Sequence, residues 1–303
     1  MIELIKNPNI DFLGKRYIAF VLSGILSIFG IIAIVQIAKG HANLGIDFAG
    51  GTAIQLKFEK SVALHAVRIA LENGGIKDFD LQDLPTENKI LIRMKKSEEE
   101  LGHVAEAITD MLSQKFPDNK YVIDSTTVIG PKVGGRLRAD AAKAIAVAVL
   151  GLLIYVAFRF QVRFGVGATI ATFHDVLAVL GVFYIIGKEI NLILVTALLT
   201  IAGYSLTDTV VVFDRIRENL KLRQREDVKE VMNSSINEVL SRTIITSTTV
   251  FLTSLSLFFF GGEVIHDFSL AMIMGVIVGT YSSIFVASPI VLLWGGKRPF
   301  ARK

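Results

Sequence analysis

The chain has 303 residues, no cysteine, and 52% hydrophobic against 20% charged residues, a balance too apolar for an ordinary soluble protein of this length. Its 32 Lys and Arg against 28 Asp and Glu leave a net charge of +4, far short of the basic excess of a chain built to grip nucleic acid. Lack of cysteine removes disulfides, thiolate metal sites and cysteine nucleophiles, so a polytopic membrane protein is the expected class and the compartment must be read from topology.

Residues 17–38 form an uncharged apolar run between Arg16 and Lys39, long enough to cross a bilayer that needs about 20 such residues. It is longer than the apolar core of a secretory signal and is expected to stay as an anchor. Residues 40–139 then change to mixed charge and are expected to fold as a separate α+β domain. Strands are predicted near 53–58, 78–84, 89–94 and 120–129, with helices over 61–72 and 97–115. The order β-α-β-β-α-β is that of ferredoxin-like domains. Ser97 with Glu100 reads as a capping box, and Leu101, Val104, Ile108, Met111 and Leu112 as one apolar helix face. His65 and His103 have no second ligand at a metal-binding spacing and are read as surface residues.

Five further apolar runs, near 141–158, 164–187, 190–213, 243–260 and 267–294, make the 140–296 region a five-helix membrane region and bring the expected total for the chain to six spans. A segment over 214–242, apolar at Val228, Val231, Met232, Ile236, Val239 and Leu240, reads as a helical connection along the membrane surface or against neighbouring helices. The cations Lys6, Lys15, Arg16, Arg159 and Arg163, the 214–242 segment and the 297–303 tail fall on one side, while the opposite short loops carry Lys188 with Glu189, Glu263 and Asp267. The positive-inside rule places both termini in the cytoplasm and the 40–139 domain outside.

No phosphate-binding Gly-x-x-x-x-Gly-Lys-Ser/Thr loop, Gly-x-Ser-x-Gly elbow or His-Glu-x-x-His pair occurs, so no cofactor, metal or catalytic residue is expected. Any work across the membrane must draw on an ion gradient, a membrane potential or a partner ATPase. Charges at bilayer depth are costly and normally pair, face the bundle interior or function. Asp175, beside His174, falls about 16 Å along the third span and Asp208 about 8 Å from the end of the fourth; Arg242 opens the fifth. Thr196, Thr200, Tyr204 and Asp208 recur every fourth residue, and Arg242, Thr246, Thr249, Thr253 and Ser256 step by four and three. Thr200, Tyr204, Thr246 and Thr249 are therefore expected to line a polar seam joining Asp208 and Arg242. His174 with Asp175 reads either as an intramembrane relay or as a pair that satisfies itself. Asp214 reads as a solvated helix end. Gly275, Gly279, Ser283 and Ala287 form a small-residue packing ridge, and Pro289 either kinks the last span or closes its final turns.

Several segments together resemble one family. Gly45-Ile46-Asp47-Phe48-Ala49-Gly50-Gly51-Thr52, Ile129-Gly130-Pro131-Lys132-Val133-Gly134, His174-Asp175-Val176, the run from Gly203 to Glu218, Ser241-Arg242-Thr243 and the run from Tyr281 to Pro289 are similar to the signatures of the SecD/SecF family, within the resistance-nodulation-division transporter superfamily. An outer domain of about 100 residues resembles the SecF branch. The resemblance implies a subunit of the bacterial inner membrane that works with SecD, the SecY/SecE/SecG translocon and YajC, amid membrane lipid, to draw exported polypeptide outward with the proton motive force. It implies that Asp208 and Arg242 couple to protons. From the residues alone, Gly45, Asp47, Gly50 and Gly51 read first as a structural turn, since a strand rather than a helix follows. Two other functions remain in view: a small-molecule exporter half of the same superfamily, and an intramembrane aspartyl protease using Asp175 and Asp208.

Overall fold

The structure, a computed structural model, describes residues 8–76, 79–84, 88–94, 101–117 and 119–295. It divides into two compact units, one of Met1–Asn43 with Ala144–Lys303 and one of Leu44–Lys143.

The smaller unit holds a short helix α2 (Ile46–Ala49), strands β1 (Gly51–Phe58), β2 (Phe79–Leu84), β3 (Lys89–Met94) and β4 (Tyr121–Ile129), and helices α3 (Leu64–Asn73) and α4 (Leu101–Lys115). Its four strands pair in the order β2-β3-β1-β4, with every neighbouring pair antiparallel. This is the split β-α-β arrangement of a ferredoxin-like domain. Alternation decides the buried face: Ile54, Leu56 and Phe58 of β1 and Ile90, Ile92 and Met94 of β3 point to one side. There they meet Val67 and Leu71 of α3 and Ile108 and Leu112 of α4. The first helix begins three residues later than predicted because Ala63 is still extended, at φ −65° and ψ 128°. The capping box at Ser97 and Glu100 and the side chains of Leu101, His103 and Val104 lie outside the described residues; His65 is exposed.

The signature run 45–52 holds an element that periodicity did not reveal, the single turn α2. It ends at Gly50 and Gly51, whose φ values of 77° and 139° are reached without strain only by glycine. A side chain at Gly134 would stand 3.0 Å from the backbone nitrogen of Gly50, so the two glycine signatures are packed backbone to backbone.

Tyr121 pins β4 to α4, its Oη donating to the Thr109 carbonyl at 2.5 Å. Burial, with a smaller push from the Asp110 charge, raises the phenol above its ordinary value of 10.0 against the opposing Ser113 hydrogen bond. Because the folded-state value exceeds the unfolded one, this stabilisation is complete below about pH 10 and is lost as pH rises through the folded-state value. Urea unfolding of this unit in the full chain is expected to weaken above about pH 10, with that component missing from Tyr121→Phe; parallel curves for the two proteins would refute it.

Among the described residues, six helices are long and apolar enough to cross a membrane: α1 (Arg16–Ala38), α5 (Pro131–Arg159), α6 (Val162–Ile185), α7 (Leu192–Leu222), α8 (Val228–Phe260), and α9 (Gly262–Ser282) continued through a π turn, Ser283–Ala287, into α10 (Ser288–Gly295). Asn191 caps α7 by accepting from the Leu194 amide at 2.9 Å, and Asp227 caps α8.

The predicted connection over 214–242 is not a separate element. At 31 and 33 residues, α7 and α8 run about 46 and 50 Å, beyond a hydrocarbon layer of about 30 Å, and form a hairpin past it. The apolar residues read from the sequence hold that hairpin together: Val231, Met232, Ile236 and Leu240 pack on Ile216 and Leu220, with Phe12 and Leu13 inserted. Asn233 and Asn237 clamp the irregular segment before α1, with Asn233 Oδ1 accepting from the Phe12 amide at 2.9 Å and Asn237 Oδ1 from the Ile10 amide at 3.0 Å. Asp214 is half-exposed and ion-paired with Arg159 at 2.5 Å rather than simply solvated.

Candidate functional site

Polar groups at bilayer depth gather where α6, α7, α8 and α9 meet. Asp175 of α6 is fully buried. Its Oδ1 lies 2.9 Å from His174 Nδ1, and its Oδ2 accepts from Ser282 Oγ of α9 at 2.8 Å and from Ser205 Oγ of α7. Three hydrogen bonds to one carboxylate tie three helices together, as a buried acceptor requires. The Nε2 atom of His174 is buried without a hydrogen-bond partner, and the ring lies 6.4 Å from that of Tyr281.

Asp208 of α7 is 7% exposed. Ser283 and Thr243 stand beside it, yet its Oδ2 is buried without a hydrogen-bond partner. The Thr243 hydroxyl, 1% exposed, is likewise unpartnered. One helical turn beyond Ser205, Thr209 shares a hydrogen bond of 2.9 Å with Ser283. A second hydroxyl chain runs from Tyr204 Oη to Ser247 Oγ at 3.0 Å and on to Thr280 Oγ1 at 2.6 Å.

The residues read from the sequence separate into two sets. His174, Asp175, Tyr204 and Asp208 lie in this cluster. Arg242, Thr246 and Thr249 share one face of α8, but that face is exposed, as is Thr200 on α7; the threonine hydroxyls there donate to carbonyls of their own helices. No ion pair joins Asp208 to Arg242 among the described residues. The inward hydroxyls are instead Ser205 and Thr209 of α7, bonded to Asp175 of α6 and to Ser283, Ser247 of α8, bonded to Tyr204 and Thr280, and the buried Thr243 of α8 and Ser282 of α9. The hydroxyls three before and one after Asp208 were the available sequence signal, obscured by an α8 with hydroxyls on both faces.

The packing ridge in α9 performs as its spacing predicts: Gly275 meets Ile201 and Gly279 meets Ser205 of α7. Pro289 lacks an amide to donate to Phe285, and the chain answers with the π turn just before it. There the Ser288 hydroxyl donates to the Ser283 carbonyl at 3.0 Å, and the helix then continues. Among the described residues no cluster of three metal-ligating side chains occurs. Asp175, with both oxygens engaged, does not form the open carboxylate pair an aspartyl protease requires.

Comparison with known proteins places these features. Residues 107–297 match the family described as protein export membrane protein SecD/SecF, C-terminal, and residues 41–62 match the SecD/SecF GG motif, which contains Gly50 and Gly51. The chain is 59% identical to protein translocase subunit SecF of Thermodesulfovibrio yellowstonii over 97% of its own length and 98% of that protein. It is 47% identical to the SecF of Calditerrivibrio nitroreducens over 96% of both. Among solved structures it is similar to SecDF of Thermus thermophilus, a translocon-associated membrane protein, with a TM-score of 0.81 and 37% identity; 95% of this chain is covered, and it spans 39% of that longer one. With glycine signature, six spans and family match concurring, the chain belongs to the SecD/SecF family of protein-export membrane proteins.

Proposed function

We propose that this chain is the SecF-type subunit of a Sec protein translocase in the bacterial cytoplasmic membrane, where with SecD it uses the proton motive force to promote late steps of export. The carrying observation is Asp208: a carboxylate at bilayer depth, set among hydroxyls, with one oxygen unpartnered. A buried carboxylate in such a place alternates between pairing and protonation, which is what proton coupling needs. His174 and Asp175 stand beside it as a relay or as the fixed partner of a moving one.

The outward faces support SecD as partner. Arg242, Thr246 and Thr249 on α8 and Thr200 on α7 put a cation and hydroxyls on a surface otherwise facing hydrocarbon. A second, related half closing on that surface gives Arg242 a protein environment and brings it towards the acidic core. Both termini are cytoplasmic in this reading, and the sheet unit is outside. Its strand β4 is an edge strand, with Val122, Ile123 and Val128 exposed, a template for extended polypeptide. SecY, SecE, SecG and YajC complete the expected assembly.

The test follows a stalled export substrate in membrane vesicles containing this chain and SecD. Completion is expected when a proton gradient is imposed and lost when an ionophore collapses it. Equal completion in both conditions would overturn the reading.

A further inference from the structure

Three consecutive residues at the head of the π turn reach three different helices. Tyr281 Oη donates to the Ala19 carbonyl of α1 at 2.9 Å and accepts from Ser23 Oγ at 3.2 Å. Ser282 Oγ donates to Asp175 of α6 at 2.8 Å. Ser283 Oγ shares its bond with Thr209 of α7 at 2.9 Å and stands beside Asp208. Neighbouring residues on a helix point about 100° apart, so three in sequence sweep about 200° and can meet three neighbours at once. Ser282 and Ser283 are fully buried, so their hydroxyl protons have only protein acceptors.

We infer that the Tyr281-Ser282-Ser283 triplet transmits the state of Asp208 to α1, the helix that precedes the sheet unit in the chain. The inference rests on the reading of Asp208 as the coupling group. A serine hydroxyl carries one proton. In this structure Ser283 Oγ lies 3.0 Å from the Gly279 carbonyl, its acceptor while Thr209 supplies the bond from α7. Ionised Asp208 can only accept, and so competes for the Ser283 proton; protonated Asp208 donates, and reverses that bond. Ser283 opens the π turn, where a backbone widened before Pro289 has a second nearby arrangement in ordinary α geometry. A change at Ser283 is thus felt one residue earlier at Asp175 and two residues earlier at α1. Tyr281 also stacks on Phe285 at 5.2 Å, and Phe285 meets Phe12 at 5.5 Å, so the same turn grips both the segment just before α1 and the first two turns of α1.

A cysteine-free chain suits a distance measurement. Spin labels at Val35→Cys on α1 and Thr196→Cys on α7, both exposed sites, report the separation of these helices in the complex with SecD in lipid nanodiscs. Asp208→Asn, which holds the site neutral, is expected to shift that distance by about 2 Å. The shift should vanish when Ser283→Ala or Tyr281→Phe is added, while the complex still assembles. Gradient-driven export should fall about tenfold in either variant alone, the cost of one buried hydrogen bond. An Asp208→Asn shift that persists in both variants would overturn the inference. So would absence of any shift in a protein whose gradient-driven export Asp208→Asn abolishes, and that result would leave the coupling reading standing. Export indifferent to Asp208→Asn would remove the coupling reading and this inference with it.

Discussion

Asp208→Asn is expected to abolish the gradient-dependent part of export while leaving the complex assembled. Asparagine has nearly the same volume and keeps an acceptor oxygen towards Ser283 and Thr243, the side chains beside Asp208. It cannot take up or release a proton. One charge moved through 100 mV is worth about 2.3 kcal/mol, a bias of roughly fifty-fold, and this is what the variant forfeits. The measurement is the ratio of completed to stalled substrate in vesicles with and without an imposed gradient; a ratio unchanged from the wild type would make Asp208 a structural group. Asp175→Asn provides the contrast, because Asp175 has both oxygens occupied by His174, Ser205 and Ser282. An amide nitrogen there faces a donor, so this substitution is expected to weaken the protein itself as well as its coupling.

The difference between these two aspartates marks what the sequence could convey. Both stand out in it, because charges in apolar runs are rare and costly. Their surroundings do not, since periodicity fixes a face and leaves its direction open. Arg242, Thr246, Thr249, Thr253 and Ser256 step by an average of about 3.5 residues and do share one face of α8, but it is the outer one. Thr196, Thr200, Tyr204 and Asp208 step by four, which drifts about 40° each time. Over three steps the drift reaches about 120°, enough to put Thr196 and Thr200 on the surface and Asp208 in the core. The serines that engage the carboxylates carry no charge and sit among small residues, where one hydroxyl resembles another until the partner helix is in place. Local patterns were more informative in the sheet unit, where alternation in β1 and β3 and the β-α-β-β-α-β order specify the ferredoxin-like arrangement. The turn α2 escaped because four residues hold too little periodicity to detect, although the two glycines that end it were visible.

The first span shows how much packing an apolar run can hide. Tyr17 to Ala38 reads as uniform hydrocarbon, yet its buried positions are Ala19, Ser23, Gly30 and Ala33, the small residues that let two helix backbones approach in lipid. At Gly30 an added side chain would fall on the Leu177 carbonyl of α6, and at Gly181 of α6 it would stand 2.7 Å from the Gly30 nitrogen. The glycines therefore face each other across the crossing, with no flexible side chain there to yield. Gly30→Leu is expected to force α1 from α6, at a cost of at least about 3 kcal/mol, and to break the Tyr281 bonds to Ala19 and Ser23 that depend on the same approach. Gly24 of the same helix has nothing within 4 Å of an added side chain, so Gly24→Leu is expected to be harmless. Thermal unfolding of the two purified variants in detergent makes the comparison with helix, host and substitution held constant. Equal stability of both would mean that α1 is held by contacts other than this crossing; loss in Gly30→Leu alone would locate its anchorage here, where two glycine backbones meet.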